Sequence, residues 1–309
     1  MTDYKRLLVV IDPSTDHQIA LDRAIALSKQ NKSRITVFLS IFDFSYEMTS
    51  ILSSDERESM RQGVIQQRQA WLDTLLKQHT SEGIEIDSCV VWHNRPFESI
   101  IQHAISGEYD AVIKGTHAHD KLKSVIFTPT DWHLMRKAPL PVLLVKEHAW
   151  PVNGKIVCAV NVGDDNEHQA LNSRIIQHAK LLANQFKAEI HLVNAYPGTP
   201  VNISIELPSF DAFSYNESVR IEHETQLTKM AEIHGINIDN CHAKEGLPED
   251  VIPEVAEALD SELVILGTVG RTGISAALIG NTAEHVIDNI NCDLLTLKPA
   301  GYISPLQNN

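Results

Sequence analysis

The chain alternates short, almost wholly apolar runs with longer stretches whose apolar residues recur at helical spacing. In the first 150 residues the apolar runs lie at 7–11, 35–42, 84–92, 111–115 and 141–146. Helical spacing covers the segments between them, including 16–30, 55–79 and the stretch from Pro96. Short, uniformly apolar runs are typical of strands that are buried on both faces. The alternation therefore predicts a parallel sheet with helices on both sides.

The same order of patterns occurs twice. Segment 96–147 aligns with segment 248–299 at a constant offset of 152 and without a gap. The coinciding residues are Pro96/Pro248, Gly115/Gly267, Thr116/Thr268, Thr130/Thr282, His133/His285 and Lys146/Lys298. Upstream, segment 6–12 matches segment 155–161 at an offset of 149. We therefore predict a duplication with one domain at 1–150, a second at 151–309, and a boundary near 149–154.

The predicted fold class is α/β, with two tandem, doubly wound domains of five parallel strands each. Right-handed crossovers favour this winding, and we expect the strand order 3-2-1-4-5 in each domain. Ligands of such sheets bind beyond the carboxyl ends of the strands, where the winding reverses. In this order the binding crevice lies between the first and fourth strands.

A glycine-rich loop follows the fourth strand of the second half. Gly267, Gly270 and Gly280 have the spacing Gly-x2-Gly-x9-Gly, which fits neither the Walker motif nor GxGxxG. The first half keeps Gly115 but has Ala118 at the second glycine and Thr128-Pro129 at the third. A Cβ obstructs close approach to a ligand, and proline lacks a backbone donor. The sequence therefore predicts a degenerate ligand loop in the first half and a retained one in the second.

The strand that ends in Asp12, the loop after the fourth strand and the closing strand PVLLV, with their counterparts in the second half, resemble the universal stress protein family. The resemblance covers nearly the whole chain and is to the tandem type, with two family domains. In nucleotide-binding members the loop reads Gly-x2-Gly-x9-Gly-Ser/Thr. The resemblance implies that its amides and hydroxyl hold phosphates, and that an Asp at the end of the first strand lies near the nucleoside.

Carried over by position, the resemblance places a ligand site in the C-terminal half. Asn281 stands where the family has Ser or Thr, with Thr282 one position later, and Asn161 stands where the family has Asp. Ala195 and Leu266 would line the base side. The implied ligand-binding residues are Asn161, Ala195, Leu266, Gly267, Gly270, Gly280, Asn281 and Thr282.

Composition narrows the range of partners. The formal net charge is −14, so neither nucleic acid nor an anionic membrane surface is an expected partner. The N-terminal apolar stretch is too short for a signal peptide or a membrane span. Cys89, Cys158, Cys241 and Cys292 are scattered and form no CxxC motif. A cytoplasmic location fits these features.

Three other features have structural interpretations that we favour. His117-Ala118-His119 resembles a metal motif but is read as an ordinary polar loop. Asp164-Asp165 is read as the start of a helix, where acidic residues complement the dipole. Segment 196–218 is an insertion rich in apolar residues, which either caps the sheet or acts as a lid over a ligand.

We interpret the chain as a cytoplasmic stress-response protein that acts by ligand binding and protein interaction, without catalytic residues. No cofactor is required; ATP or a related nucleotide, or another small anion, is the expected ligand. Two alternatives stay open: a slow ATP hydrolase that uses the same loop with magnesium, and a ligand-free structural scaffold. The sequence names neither a protein partner nor the stress to which the protein responds.

The closing strand of each half is apolar and is expected at a sheet edge. Open apolar edges favour aggregation, and single-domain relatives are expected to cover this edge by dimerising. We therefore predict that segments 141–146 and 293–298 meet across a pseudo-two-fold axis, as an intramolecular pseudo-dimer of the two halves.

Overall fold

A computed structural model describes residues 4–45, 52–77, 79, 83–118, 125–126, 128–147, 149–163, 166–198, 211–268, 286 and 289–307. Within them the chain forms two compact units. The first unit contains the residues up to His117, segment 128–145 and the C-terminal segment 303–307. The second contains the described residues of 118–126 and of 146–302.

The first unit is built around a parallel sheet. Its strands are β1 (Arg6–Val10), β2 (Arg34–Ile41), β3 (Ile86–Trp92), β4 (Ala111–Gly115) and β7 (Val142–Val145). The short strands β5 (His117–Ala118) and β6 (Val125–Ile126) follow β4 along the chain, and the described residues of 118–126 belong to the second unit. The helices described with it are α1 (Ile19–Asn31), α2 (Ser54–Leu76), α3 (Pro96–Ser106) and α4 (Pro129–Lys137). The strand order is β3-β2-β1-β4-β7, with every pairing parallel.

The second unit repeats this design. Its strands are β8 (Lys155–Ala159), β9 (Glu189–Tyr196), β10 (Cys241–Glu245), β11 (Leu263–Gly267) and β12 (Asp293–Leu297). Its described helices are α5 (Asn166–Phe186), α6 (Ala212–His234) and α7 (Pro248–Ala258), with a 3-10 turn at Ile238–Asn240. The order β10-β9-β8-β11-β12 is again 3-2-1-4-5 in chain order.

The internal offset of 152 reappears in the elements themselves. Adding 152 to the bounds of α3 gives those of α7, and adding 152 to those of β4 gives those of β11. The predicted fold class and strand order are therefore confirmed. The central strands are buried over all but one terminal residue, as in Leu7–Val10 of β1 and Leu263–Leu266 of β11. This burial explains why the sequence shows continuous apolar runs in place of alternation.

Local signals set several helix boundaries. A capping box is present at the start of α2, with Ser53 Oγ accepting the Glu56 amide and the Glu56 carboxylate accepting the Ser53 amide. The helix ends at Leu76, three residues before the predicted end. Pro96 occupies the first turn of α3, as proline does where no amide donor is needed.

Both ends of the insertion at 196–218 belong to regular elements. Tyr196 is the last residue of β9 and is buried, and residues 212–218 form the first turns of α6. Asp211 caps that helix by accepting the Ser214 amide at 3.1 Å. Residues 199–210 lie outside the described part of the chain, so the lid interpretation stays a prediction.

Candidate functional site

Three adjacent strands of the second unit end at the edge where the sequence places the ligand. The central strand β8 pairs with β11 on one side, with Ile265 opposite Cys158, and with β9 on the other, with Val193 opposite Ala159. Two residues beyond these pairs, the chain reaches Asn161 after β8, Ala195 on β9 and Gly267 on β11. The structure therefore brings these predicted site residues, with Leu266, to the carboxyl edge of neighbouring strands, where doubly wound sheets bind ligands.

Hydrogen bonds fix the orientation of Asn161. The amide of Gly163 donates to Asn161 Oδ1 at 3.0 Å, which identifies that atom as the side-chain oxygen. The backbone is clamped by buried Asn172 of α5, whose Oδ1 accepts the Asn161 N–H at 3.1 Å and whose Nδ2 donates to the Asn161 carbonyl at 2.6 Å. Asn161 is exposed, and its Nδ2 is the atom that can donate to a ligand at this edge.

The first unit holds the equivalent residue by the same type of clamp. The Asp12 N–H donates to Gln18 Oε1 at 3.1 Å, and Gln18 Nε2 donates to the Asp12 carbonyl at 2.7 Å. Asp12 Oδ1 accepts from the Ser14 amide at 2.9 Å and from its hydroxyl at 2.7 Å. Both halves therefore use a buried amide side chain to fix the end of their first strand. Sequence analysis missed Gln18 and Asn172, although each is an amide residue near the start of the first helix.

Behind the crevice of the second unit lies a second hydrogen-bond network. Asn194 is 2 % exposed and its Nδ2 donates to the Val160 carbonyl at 3.0 Å. Its Oδ1 lies 2.7 Å from His223 Nδ1. Because that oxygen can only accept, His223 carries its proton on Nδ1. Burial lowers the pKa of His223, which favours this neutral form, and the ring stacks on Tyr196 at a centroid distance of 5.0 Å.

This network ties the end of β8 to helix α6. Asn194 and Tyr196 alternate with the half-buried Ala195 along β9, so the network residues and Ala195 lie on opposite faces of the sheet. The contact was not predicted from the sequence, because Asn194 and His223 are 29 residues apart.

Gly267 has a packing role that sequence analysis did not identify. A Cβ at this position would lie 2.8 Å from Leu171 Cγ of α5, with a Leu171 methyl closer still. In the first unit a Cβ at Gly115 would lie 2.9 Å from Ile19 Cγ1 of α1. In both halves glycine therefore allows the first helix to approach the fourth strand, whether or not a ligand is bound.

A buried lysine lies beside the start of the glycine loop. Thr268 donates its amide to the Leu297 carbonyl at 2.8 Å, and Lys298 Nζ donates to the Thr268 carbonyl at 3.3 Å. Burial lowers the pKa of Lys298 to about 8, and its ammonium lies 4.8 Å from the centroid of the Tyr302 ring. Lys298 therefore places a positive charge under the first residues of the loop. In the sequence, the lysine that recurs at positions 146 and 298 of the repeat was the feature that pointed to this position.

The remaining predicted site residues are Gly270, Gly280, Asn281 and Thr282, and they lie outside the described residues. So do His119 and the Asp164-Asp165 pair. Among the residues that the structure does describe, no group of three or more His, Cys, Asp or Glu side chains is placed to hold a metal ion. Within the same residues, no helix has both the length and the apolar character needed to cross a membrane.

A groove of about 650 Å³ lies elsewhere on the second unit. Its lining includes Lys180, Lys187 and His234, near the carboxyl ends of α5 and α6 and the start of β9. This is the opposite edge of the sheet from the ends of β8 and β11.

Comparison with known proteins gives two matches to one family. The universal stress protein family matches residues 3–146 and again residues 153–298. The chain is 52 % identical over 309 residues to Universal stress protein E of Escherichia coli K12, covering 99 % of this chain and 98 % of that protein.

Two further similarities agree with this match. The chain is 43 % identical to the Universal stress protein E homolog of Haemophilus influenzae, covering 96 % of this chain and 98 % of that one. Among solved structures, a functionally unknown protein from Pseudomonas aeruginosa PAO1 superposes with a TM-score of 0.76 at 29 % identity. That match covers 96 % of this chain and 94 % of the other.

Proposed function

The chain belongs to the universal stress protein family, and from this premise we propose that it is a cytoplasmic stress-response protein that binds a nucleotide-like or other anionic ligand in its C-terminal half. Binding changes a surface that a protein partner recognises. The proposal assigns no catalytic turnover and requires no cofactor. ATP or a related nucleotide is the first ligand to test.

One observation carries the proposal: Asn161, Ala195, Leu266 and Gly267 all lie at the carboxyl edge of three adjacent parallel strands. This is the place where the winding of the sheet reverses and where such folds bind ligands. The glycine loop begins at this edge, with the ammonium of Lys298 beneath Thr268. A cation and a loop of backbone amides together favour an anionic group.

The orientation of Asn161 refines the expected ligand chemistry. Its Oδ1 already accepts the Gly163 amide, whereas its Nδ2 can donate outward. A ligand atom at this position should therefore be one that accepts a hydrogen bond, as a phosphate, carbonyl or hydroxyl oxygen does.

The test compares one substitution in each half. Gly270→Val adds a branched side chain to the retained loop, and Ala118→Val adds one at the equivalent position of the degenerate loop. We expect isothermal titration of the full chain with ATP to detect one site, which Gly270→Val weakens by at least about tenfold and Ala118→Val leaves intact. A site lost in Ala118→Val and kept in Gly270→Val would overturn the proposal.

The same proteins separate binding from hydrolysis. A single-turnover assay with ATP and magnesium should release phosphate at the rate of a protein-free control. Release above that rate which disappears in Gly270→Val would identify a slow ATP hydrolase and contradict the absence of turnover. Native mass spectrometry of gently purified protein tests the scaffold alternative, because a scaffold would show only the mass of the chain.

We also propose that the two halves associate within one chain as an intramolecular pseudo-dimer. The apolar closing strands and the tandem repeat of a domain that is expected to dimerise support this arrangement.

A further inference from the structure

A buried ion pair lies in the crevice of the first domain. Lys114 is on β4, opposite Val10 of β1, so it lies next to the first strand and close to the carboxyl ends of both strands. Its Nζ lies 2.8 Å from Asp131 Oδ1 and also donates to the Gly115 carbonyl at 3.0 Å. The Asp131 carboxylate is fully buried and the Lys114 side chain is 13 % exposed.

The carboxylate of Asp131 also occupies the amino end of α4. Its Oδ2 accepts the Thr128 amide at 2.7 Å and the Thr128 hydroxyl at 2.9 Å. The Asp131 amide donates in turn to Thr128 Oγ1 at 3.3 Å, and Pro129 has no amide hydrogen. Two of the first three residues of the helix therefore offer no free amide to an outside anion.

The second half has neither member of this pair. At the offset of 152, Leu266 corresponds to Lys114 and Ala283 to Asp131, while Gly280 and Asn281 correspond to Thr128 and Pro129. The ion pair is thus specific to the half whose loop has lost its glycines. A capping residue alone would not need a partner on β4, since the Thr128 contacts already complete the capping box.

We propose that the Asp131 carboxylate is a built-in anion that, paired with Lys114, closes the first domain to phosphate-bearing ligands. It takes the position at the helix terminus that a bound anion would take, and its negative charge repels a second one. The loss of ligand binding in this half is then an exclusion by a buried carboxylate, which already neutralises the Lys114 ammonium, in addition to the loss of loop glycines. The proposal concerns the first domain alone and does not depend on a ligand in the second.

The test is chemical rescue in the full chain. Asp131→Ala leaves the Lys114 ammonium buried beside an empty space of carboxylate size, and we expect the melting temperature to fall by roughly 5–10 °C. Sodium formate, which supplies the missing carboxylate, should raise it again in a saturable manner, and more than sodium chloride at equal concentration. Inorganic phosphate should also raise the melting temperature of Asp131→Ala more than that of the wild type, whose carboxylate already fills the position. Equal effects of phosphate on the two proteins would overturn the proposed exclusion.

The double variant Lys114→Leu/Asp131→Ala is the matched control, because it introduces the pair of residues found in the second half. It should melt higher than Asp131→Ala and show no rescue by formate beyond the effect of salt. Equal rises with formate in the wild type, the single variant and the double variant would overturn the proposal, since they would show a general effect of the salt.

If Asp131→Ala does not fold, Asp131→Asn replaces it, because the amide keeps the size of the side chain and can still accept from Thr128. Adding Lys114→Leu to Asp131→Asn should then recover part of the lost melting temperature, since it removes an unpaired buried charge. If Lys114→Leu instead lowers the melting temperature of Asp131→Asn by as much as it lowers that of the wild type, the two residues act independently, which would contradict the proposal.

Discussion

Asn161 and Asp12 occupy the same place in the two halves but present different atoms to the crevice. Each has one side-chain oxygen engaged by an amide two residues later, from Gly163 and Ser14. What remains at Asn161 is an amide donor, whereas the family residue at this position would offer an acceptor to a ribose hydroxyl. This single atom should decide which part of a ligand lies against β8.

Asn161→Asp tests this assignment. The second carboxylate oxygen would accept from a nucleoside hydroxyl, and a hydrogen bond to a charged group strengthens binding by about tenfold or more. We expect the affinity for adenosine, measured by titration calorimetry, to rise accordingly. Asn153→Asp is the control, because it adds the same charge before β8, at the opposite edge. An equal change in both variants would show an effect of net charge and not of this position.

A second residue-scale prediction concerns acid stability. Burial, together with a smaller contribution from the charge of Arg174, lowers the pKa of His178 to about 4. In the unfolded chain a histidine titrates near 6.5, so between pH 6.5 and 4 the unfolded state binds the proton and the folded state does not. The stability of the second domain should therefore be full above pH 6.5 and fall by up to about 3 kcal/mol towards pH 4.

Urea unfolding of wild type and His178→Gln at several pH values measures this contribution. The variant should lose less stability on acidification, since Gln does not titrate. Parallel curves for wild type and His178→Gln would show that His178 does not contribute.

At the scale of elements, the two 23-residue helices, α2 and α6, share an unusual distribution of buried residues. In α2 the buried residues are Leu72 and Leu76, and in α6 they are Leu227 and Ala231, all in the C-terminal half. The N-terminal turns of both helices have few buried contacts within the described chain, so they depend on local stabilisation such as capping.

Ser53→Ala tests this dependence in α2. The change removes the oxygen that accepts the Glu56 amide at 3.3 Å, and caps of this kind contribute about 1 kcal/mol. Hydrogen exchange of the Glu56 amide should accelerate about fivefold, because local opening becomes easier by that amount. Ser54→Ala, one residue inside the helix, should leave the rate unchanged. Equal rates in wild type and Ser53→Ala would mean that the cap does not limit opening.

At the scale of the whole molecule, the duplication raises the question of how the halves depend on each other. The sequence predicts that their closing strands meet, with Leu144 and Leu295 in the seam. Cleavage at a protease site inserted near Trp150 should then leave the halves associated in size-exclusion chromatography. Leu295→Asp should weaken that association, because a buried unpaired carboxylate costs several kcal/mol. Halves that separate freely after cleavage of the wild-type sequence would contradict the seam.

The sequence by itself determined the duplication, the five-stranded order and the edge of the sheet that carries the candidate site. It could do so because these properties depend on the spacing of apolar residues and on a repeat of constant offset, and both can be read along a single chain. It also identified the loop that differs between the halves, since a glycine replaced by alanine or proline changes what the backbone can do.

Only the tertiary structure decided which side-chain atoms of the candidate residues are engaged in contacts and which face a ligand. The closeness of Gly267 to Leu171, the link from Asn194 to His223 and the ion pair between Lys114 and Asp131 all join residues on different elements. Spacing along the chain does not fix such pairs, because the direction of a side chain depends on its rotamer and on how the elements pack. The packing of Leu171 explains why residue 267 is glycine even without a ligand. Packing also placed the Asp131 carboxylate at the amino end of α4 in the first domain.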